Sequence, residues 1–234
     1  MRQIFLDTET TGLSAGQGDR IVEIGCVELV NRKLTGNNLH FYLNAGRDSH
    51  EDALRIHGLT TEFLRDKPKF DAVADEFLAY VKDAEILIHN APFDMGFLNV
   101  ELKRAGKRPL KEHVTSVVDT LAMAKELYPG KRNSLDALCS RLEVDNSGRI
   151  LHGALLDAEL LADVYINMTR GQDALLIDSS EQQEEGGLPV ERVELNGFDL
   201  PVLSANQQEL AAHAEAIQQI NKASGGKALW AETA

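Results

Sequence analysis

The apolar residues in the first part of the chain follow strand-like patterns. Residues 3–9 form a short strand-like run, residues 21–30 are β-branched and partly alternating, and residues 40–43 form a third run after the Asn37-Asn38 turn. Short connections between consecutive strands are typical of an antiparallel meander. The pattern therefore predicts that the chain opens with three strands of one sheet.

A helical spacing of apolar residues begins near residue 70. It covers residues 70–82 and is followed at 85–89 by a nearly continuous apolar run, which is typical of a buried strand. A helix that leads into a buried strand favours a parallel crossover. The next helix is expected to run from near Pro92 to Arg104, with Asn90 as its N-terminal cap.

The remaining elements before Gly171 continue this alternation of strand and helix. Residues 117–120 predict a short strand, and three further helices are expected at residues 120–127, 133–141 (capped by Asn133 or Ser134) and 153–169. Elements in this order are typical of an α/β domain. We therefore expect residues 1–171 to form a mixed β-sheet flanked by helices.

The composition changes beyond this predicted domain. Residues 178–187 contain no apolar side chain, so we expect residues 172–189 to form a flexible linker. In the following segment, residues 190–234, Ser204 is expected to cap a helix that carries Leu210, Ile217 and Ile220. Together with Trp230, these residues have little chain nearby to cover them, which predicts that the segment packs against another protein.

The overall composition is that of a globular protein with one core and a small appendage. Of the 234 residues, 43% are hydrophobic and 26% are charged. No apolar run approaches the roughly 20 residues that span a bilayer, and the amino terminus lacks the layout of a signal peptide. We therefore expect a cytoplasmic protein in which Cys26 and Cys139 are buried, reduced thiols.

The net charge of −13 is unfavourable for contact with nucleic acid, which normally relies on Lys and Arg. Residues 1–170 carry 26 acids and 21 bases, a net charge of −5, whereas the remaining residues carry 11 and 3, a net charge of −8. Acids that hold divalent cations would be neutralised, and the cations would attract phosphate. The intrinsic affinity for DNA is expected to be weak, so that a partner delivers the substrate.

Two carboxylates stand at the end of the first predicted strand. Asp7 and Glu9 lie two residues apart, so both project from the face that Phe5 shares. Adjacent carboxylates repel each other, and this position is costly unless a hard cation such as Mg²⁺ or Mn²⁺ compensates their charge. Taken alone, the pair is explained better by a solvated strand end.

Three more candidate residues, which lie later in the chain, extend this set. Asp94 follows the buried strand in the first turns of a helix, where α/β sheets commonly build sites, although it could equally complement the helix dipole. His152 precedes the helix that begins near Gly153, and Asp157 lies in its second turn, so both could face one crevice. A histidine considered singly in this place is more often a surface or capping residue.

In combination, these motifs resemble the DEDDh exonuclease superfamily, with Asp-x-Glu near the amino terminus, Asn-x-x-x-Asp in the middle and His-x-x-x-x-Asp on a late helix. Residues 1–170 look most like the proofreading subunits of bacterial DNA polymerase III, in the stretches LDTETTG (6–12), IHG (56–58), GKRNSLDALC (130–139) and LHGALLDA (151–158). The resemblance implies a ribonuclease H-like fold and 3′–5′ exonuclease activity on DNA.

The resemblance also implies a role for each site residue. Two divalent cations, Mg²⁺ or Mn²⁺, would be held by the carboxylates of Asp7 (as the bridge), Glu9, Asp94 and Asp157. His152 would act as the general base, because histidine exchanges protons near neutral pH. The products would be nucleoside 5′-monophosphates.

Contacts with the terminal nucleotide are implied for three of the metal ligands, Asp7, Glu9 and Asp157, and for two further residues, Asp52 and His57. At Asp52 the chain departs from the family, which has a Glu five residues before the histidine. The side chain is one methylene shorter, which puts its contact with the 3′-terminal sugar in doubt, and an acid at a helix start explains it as well. A structural role for His57 also stays open.

Two basic clusters could contact the DNA phosphates. One is Lys131 with Arg132, and the other comprises Lys103, Arg104, Lys107, Arg108 and Lys111. Solvated helix faces have the same composition, and no aromatic residues are interleaved, so both clusters are weak evidence for a DNA track.

The tail implies protein partners. Residues 206–213 resemble the segment that binds the polymerase III alpha subunit, which makes residues 190–234 the expected polymerase contact. The stretch from Gln172 to Ile177 resembles the Gln-x-x-Leu peptides that bind sliding clamps, although a fraying final helix turn explains it almost as well. Whether a small accessory subunit binds the exonuclease domain stays open.

Two other functions stay open beside DNA proofreading. An RNA-trimming relative, such as an oligoribonuclease or a tRNA-end exonuclease, would resemble residues 1–170, but such enzymes usually end there, whereas this chain carries a linker and a further helix. A catalytically silent polymerase scaffold is disfavoured because all five site residues are present.

Overall fold

The computed structural model describes residues 1–149, 151–176 and 205–225, with side chains through Arg170 in the second range. The chain divides into two compact units, Met1–Glu181 and Gln182–Ala234. The first unit contains the sheet and every predicted site residue, and the described part of the second contains one helix. The proposed boundaries of the linker stay a prediction.

The first unit is built from six strands and seven helices within its described residues. The strands are β1 (Arg2–Thr10), β2 (Ile21–Val30), β3 (Lys33–Leu34), β4 (Leu39–Tyr42), β5 (Glu85–Ile88) and β6 (Ser116–Asp119). The helices are α1 (Glu51–His57), α2 (Thr61–Leu64), α3 (Phe70–Val81), α4 (Ala91–Arg104), α5 (Thr120–Leu127), α6 (Leu135–Leu142) and α7 (Ala154–Leu176). Short 3₁₀ turns lie at Ala15–Gln17 and Leu110–Glu112.

The strands form one mixed sheet in the order β3-β2-β1-β5-β6, with β4 also paired to β2. β2 runs antiparallel to β1, whereas β5 and β6 run parallel to it, so the predicted meander and crossover are both confirmed. The last pair between β1 and β5 joins Phe5 to Leu87. Asp7 and Glu9 therefore extend beyond the carboxyl end of β5, the edge where open α/β sheets build their sites.

Core residues cover both faces of this sheet because successive side chains of a strand point in opposite directions. Ile4 of β1 belongs to one buried cluster with Phe77 of α3 and Leu98 of α4. Its neighbour Phe5 belongs to another, which contains Leu161 of α7. The alternation of β1 thus places α3 and α4 on one face and α7 on the other.

The start of α7 lies unusually close to β2. A Cβ atom on Gly25 would lie 2.2 Å from the backbone carbon of Ala154 and the backbone nitrogen of Leu155. Only glycine permits this approach, because backbone atoms cannot move aside as a flexible side chain can. The absent side chain lets the first turn of α7, with Asp157, lie against the sheet.

Several predicted elements agree with the structure, and some details differ. Ser134 caps α6 through its hydroxyl, as predicted, whereas the short elements β3, α1 and α2 were not predicted. α7 runs to Leu176, seven residues beyond its predicted end. A pattern of apolar residues alone does not mark the end of a helix well, since helix termini depend on tertiary contacts.

The second unit contains α8 (Gln207–Ala223). Its N-cap is Asn206, which forms a reciprocal capping box with Glu209, so the assignment of the cap to Ser204 was wrong. Leu210 and Ile220 are 56% and 45% exposed. Ser204 itself, the predicted linker at 178–187 and Trp230 lie outside the described residues.

Cys26 and Cys139 are buried free thiols, as predicted. In the part of the chain that the structure describes, no helix combines the length and the apolar character needed to cross a membrane.

Candidate active site

Asp7 and Glu9 supply two carboxylates from one face of β1. Phe5, two residues earlier on that face, is fully buried under α7 and fixes the orientation of the strand. Glu9 is 9% exposed and Asp7 is half-buried. The strand thus holds two acids at the boundary between the core and a cavity.

Asp94 enters the same cavity from the first turn of α4. Its side chain is 3% exposed, and its Oδ1 accepts a hydrogen bond of 2.7 Å from the Thr8 hydroxyl. The preceding Asn90 adopts φ 71° and makes no side-chain capping bond, so its predicted role as a cap was wrong. Asn tolerates this left-handed conformation, and here it serves to turn the chain sharply from β5 into α4.

His152 and Asp157 come from the start of α7. Asp157 is 4% exposed, whereas the His152 side chain is 45% exposed. A backbone hydrogen bond of 3.1 Å from His152 N to the carbonyl of Ile56 ties this loop to α1. One ligand atom each of Glu9, His152 and Asp157 lies within 4.8 Å of the others.

All five predicted catalytic and metal-binding residues line one cavity of about 510 Å³. They arrive from three separate chain regions: Asp7 and Glu9 on β1, Asp94 on α4, and His152 with Asp157 at α7. The structure therefore brings the whole predicted set together.

The carboxylates repel one another strongly at this site. Burial, reinforced by the charges of Asp94, Glu9 and Asp157, raises the pKa of Asp7 well above its usual range. Burial and the Asp157 charge raise the pKa of Glu9 to about 8, and burial raises that of Asp94 to about 7 against the opposing hydrogen bond from Thr8. Converging, buried oxygen ligands of this kind fit a divalent cation, which would neutralise them.

A second cavity of about 500 Å³ shares Thr8, Glu9 and Phe93 with the first. His57 lines it and is 4% exposed. Its Nδ1 accepts a hydrogen bond of 2.9 Å from Leu59 N, while its Nε2 has no partner among the described residues. Burial lowers the pKa of His57, and a backbone interaction with Thr10 opposes this shift. Because Nδ1 accepts a hydrogen bond, the neutral ring carries its proton at Nε2.

Asp52 lies at the edge of this second cavity. Its side chain is 84% exposed and forms an ion pair with Arg55. This position of Asp52 agrees both with a contact to the substrate and with an acid that only stabilises the start of α1. The role of Asp52 therefore stays a prediction.

Arg149 is a site residue that was not predicted from the sequence. Its side chain is 7% exposed, and its Nε and Nη2 donate hydrogen bonds of 2.5 Å to the two carboxylate oxygens of Asp157. Nη1 donates to Asp136 at 2.5 Å, and Nη2 lies 2.9 Å from His152 Nδ1. Its position in the loop before α7, three residues before His152, was the signal available in the sequence.

His89 was also missed. Its ring lies between the Thr120 hydroxyl (3.1 Å) and the carbonyl oxygen of Asn133 (2.9 Å), and burial lowers its pKa. The ring thereby links the end of β5 to the loop before α6, which carries Lys131 into the first cavity.

Comparison with known proteins agrees with this geometry. The profile of a family described as Exonuclease matches residues 4–165, which contain all five of these residues. The chain belongs to the exonuclease family.

Relatives within the exonuclease family extend over almost the whole chain. Two proteins named DNA polymerase III subunit epsilon, from Pasteurella multocida and Escherichia coli, are each 48% identical, over 98% of this chain and 93% and 97% of their own lengths. The chain is accordingly a metal-dependent 3′–5′ exonuclease of the proofreading type.

Solved structures of other exonucleases share the fold. Exonuclease X in complex with 5′ overhanging duplex DNA is 27% identical, with a TM-score of 0.59 over 73% of this chain and 93% of that one. The nuclease domain of 3′hExo, a DEDDh family member bound to rAMP, is 16% identical, with a TM-score of 0.63 over 73% and 92%. The ribonuclease H-like fold predicted from the sequence is confirmed.

The two basic clusters of this exonuclease differ in position. Lys131 lines the first cavity, together with Lys125, which the sequence analysis did not single out. In the other cluster, Arg104, Lys107 and Arg108 pair with Glu101, Asp75 and Glu112. Three of the five residues in the larger cluster thus pair with acids of their own fold, which favours Lys131 for contact with phosphate.

Proposed function

We propose that this exonuclease proofreads for a replicative DNA polymerase III, removing the 3′-terminal nucleotide of DNA as a nucleoside 5′-monophosphate. The observation that carries the proposal is that the four predicted carboxylates and His152 line a single cavity. The polymerase assignment is supported by relatives that bear the name of a polymerase III subunit over nearly their full length.

The four carboxylates are proposed to hold two divalent cations, Mg²⁺ or Mn²⁺. Such cations supply charge stabilisation for the attacking and leaving oxygens of a phosphodiester displacement. Asp7 is the proposed bridging ligand, as the family resemblance implies, and it lines the cavity together with Glu9, Asp94 and Asp157.

His152 is the proposed general base. Its side chain is the most exposed of the five, so it can reach both water and the end of a DNA strand. A base in this place takes a proton from the attacking water and holds it on the ring while the phosphodiester bond breaks.

The terminal nucleotide is proposed to occupy the second cavity. Glu9 lines both cavities and can therefore contact the nucleotide next to the reacting phosphate, as is also proposed for Asp7 and Asp157. His57 lines this cavity, and its buried Nε2 has no hydrogen-bond partner among the described residues, which supports a contact with an acceptor on the nucleotide. Asp52 is a further proposed contact at the edge of the cavity.

The tail is proposed to attach the enzyme to its partners. Residues 1–171 form the proposed exonuclease domain, 172–189 the linker and 190–234 the segment that binds the polymerase alpha subunit. The exposed apolar residues Leu210 and Ile220 of α8 support such a contact. The proposed clamp peptide, from Gln172 to Ile177, falls where side chains are not described. Binding of an accessory subunit and residence in the cytoplasm are also proposals.

Degradation of a 5′-labelled DNA strand and its RNA counterpart tests this proposal, each with Mg²⁺ and with excess chelator. We expect stepwise shortening of DNA in preference to RNA, only with the metal. Preference for RNA would identify a trimming enzyme instead, and no shortening of either strand would indicate a silent scaffold.

A further inference from the structure

Arg149 occupies the carboxylate that a metal ion needs. Its two hydrogen bonds to Asp157 use both carboxylate oxygens, in the planar two-pronged geometry that arginine forms with carboxylates. A cation bound by Asp157 must take at least one of these oxygens. Each oxygen keeps a further lone pair, but the guanidinium charge 2.5 Å away repels a divalent cation and offsets the negative charge that would attract it. The guanidinium group and a divalent cation therefore compete for this ligand.

The same guanidinium also engages His152. Because arginine remains protonated and can only donate, His152 Nδ1 must accept the hydrogen bond from Nη2. A neutral ring that accepts at Nδ1 carries its proton at Nε2. In this arrangement neither ring nitrogen has a lone pair available for the proton of a water molecule.

A second partner is available to Arg149. Its Nη1 bonds to Asp136 on α6, whose side chain is 60% exposed and is not among the predicted metal ligands. The guanidinium can therefore leave Asp157 without losing all charge compensation. If the guanidinium group moved while it kept its hydrogen bond to Asp136, both Asp157 and His152 would be released.

We propose that Arg149 is a positioning residue that competes with the divalent cation for Asp157. Without metal, it neutralises Asp157 and holds His152 in a form that cannot act as a base. When the cation binds, Arg149 retreats to Asp136 and His152 becomes free to accept a proton. The inference rests on the proposed metal role of Asp157, and it links occupancy of the metal site to availability of the base.

Affinity for Mn²⁺, measured by titration calorimetry on the full chain without DNA, tests the competition. In Arg149→Gln we expect Mn²⁺ to bind about tenfold more tightly, because a bidentate charged competitor is removed. Arg149→Lys should fall between this variant and the wild type, since lysine keeps the charge but loses the two-pronged contact. Unchanged or weaker Mn²⁺ binding in Arg149→Gln would overturn the proposal, because a residue that only supports Asp157 would weaken binding when removed.

The matched control is Arg20→Gln. Arg20 also forms an ion pair with a buried acid, Glu101, but neither residue lines the carboxylate cavity. Mn²⁺ affinity should be unchanged in this control even if the protein is less stable. A tighter Mn²⁺ affinity in Arg20→Gln as well would attribute the effect to general loosening and would contradict the competition.

Thermal unfolding gives a second readout. In chelator, Arg149→Gln should melt about 5 °C or more below the wild type, because Asp157 loses its buried partner. Addition of Mn²⁺ should recover most of this loss. Asp157→Asn distinguishes the metal role of Asp157 from the competition by Arg149. If this variant binds Mn²⁺ as the wild type does, both claims fail. If Mn²⁺ binding depends on Asp157 but is not tighter in Arg149→Gln, only the competition fails.

Discussion

Gly25 pairs with Asp7 across the β1–β2 ladder, and its missing side chain is the space into which the start of α7 fits. One residue thus brings the two ends of the proposed catalytic set together, since Asp7 lies near the amino terminus of the chain and Asp157 lies on α7.

Gly25→Ala is expected to lower both stability and activity. The new methyl group would meet backbone atoms of Ala154 and Leu155, so α7 must move away, at a cost of about 3 kcal/mol. Urea unfolding and DNA hydrolysis measure the two effects. Gly96→Ala is the matched control, because a Cβ there meets nothing within 4 Å and alanine favours the helix by about 1 kcal/mol. Equal stability of Gly25→Ala and the wild type would contradict the packing argument.

The metal-free enzyme is expected to lose stability as pH rises from about 5 to 8. The pKa of Glu9 is raised to about 8 and that of Asp94 to about 7, whereas unfolded carboxylates titrate near 4. Between these values the folded state retains protons that the unfolded state has released, so the free energy of unfolding falls as pH increases. Saturating Mg²⁺ should largely remove this decline, because the cation takes over the charge compensation.

A control is needed because His57 and His89 have lowered pKa values and contribute the opposite slope. Glu9→Gln isolates the carboxylate contribution. In chelator at pH 8, its melting temperature should exceed that of the wild type, and the two should converge towards pH 5. A wild type that is the more stable of the two at pH 8 would refute the electrostatic account.

His152→Ala is expected to retain metal affinity and to lose turnover by about 10² to 10⁴-fold, since it removes the proposed general base. Single-turnover hydrolysis and Mn²⁺ titration separate the two effects. The proximity of His152 to Glu9 and Asp157 makes a ligand role the alternative, and weaker Mn²⁺ binding in the variant would favour it. His213→Ala, an exposed histidine on α8, should change neither quantity.

The double variant Leu210→Glu, Ile220→Glu is expected to abolish co-elution with the polymerase subunit while leaving DNA hydrolysis intact. Both residues are exposed apolar positions on α8, and charge there would be buried unpaired in a protein contact. Gln208→Glu with Gln218→Glu adds the same charge at exposed polar positions of the same helix and should keep the complex. Continued co-elution of the apolar-site variant would rule out this face of α8.

The sheet and the places of Asp7, Glu9 and Asp94 relative to it could be predicted because each depends on local pattern. Alternation in β1 places Asp7 and Glu9 on one face, and the strand-to-helix transition after β5 places Asp94 at the edge of the sheet. His152 and Asp157 could be added because the three motifs follow one another along the chain in the order that the family has.

Arg149 and Asn90 could not be predicted in the same way. The contacts of Arg149 depend on how the loop before α7 folds back over α6, which no periodicity records. Asparagine is a residue type that often caps helices. At Asn90, however, the turn out of β5 requires a left-handed backbone, and this tertiary geometry overrides the preference for capping.

Mn²⁺ binding and DNA shortening by Asp7→Asn test most directly whether the cavity carboxylates hold the cations that hydrolysis needs. The control is Asp66→Asn, at an exposed aspartate that does not line the cavity. We expect the wild type and Asp66→Asn to bind two Mn²⁺ ions and to shorten DNA, whereas Asp7→Asn should lose Mn²⁺ binding and shorten DNA no faster than the chelator blank. Wild-type binding and shortening by Asp7→Asn would contradict this role of the carboxylates.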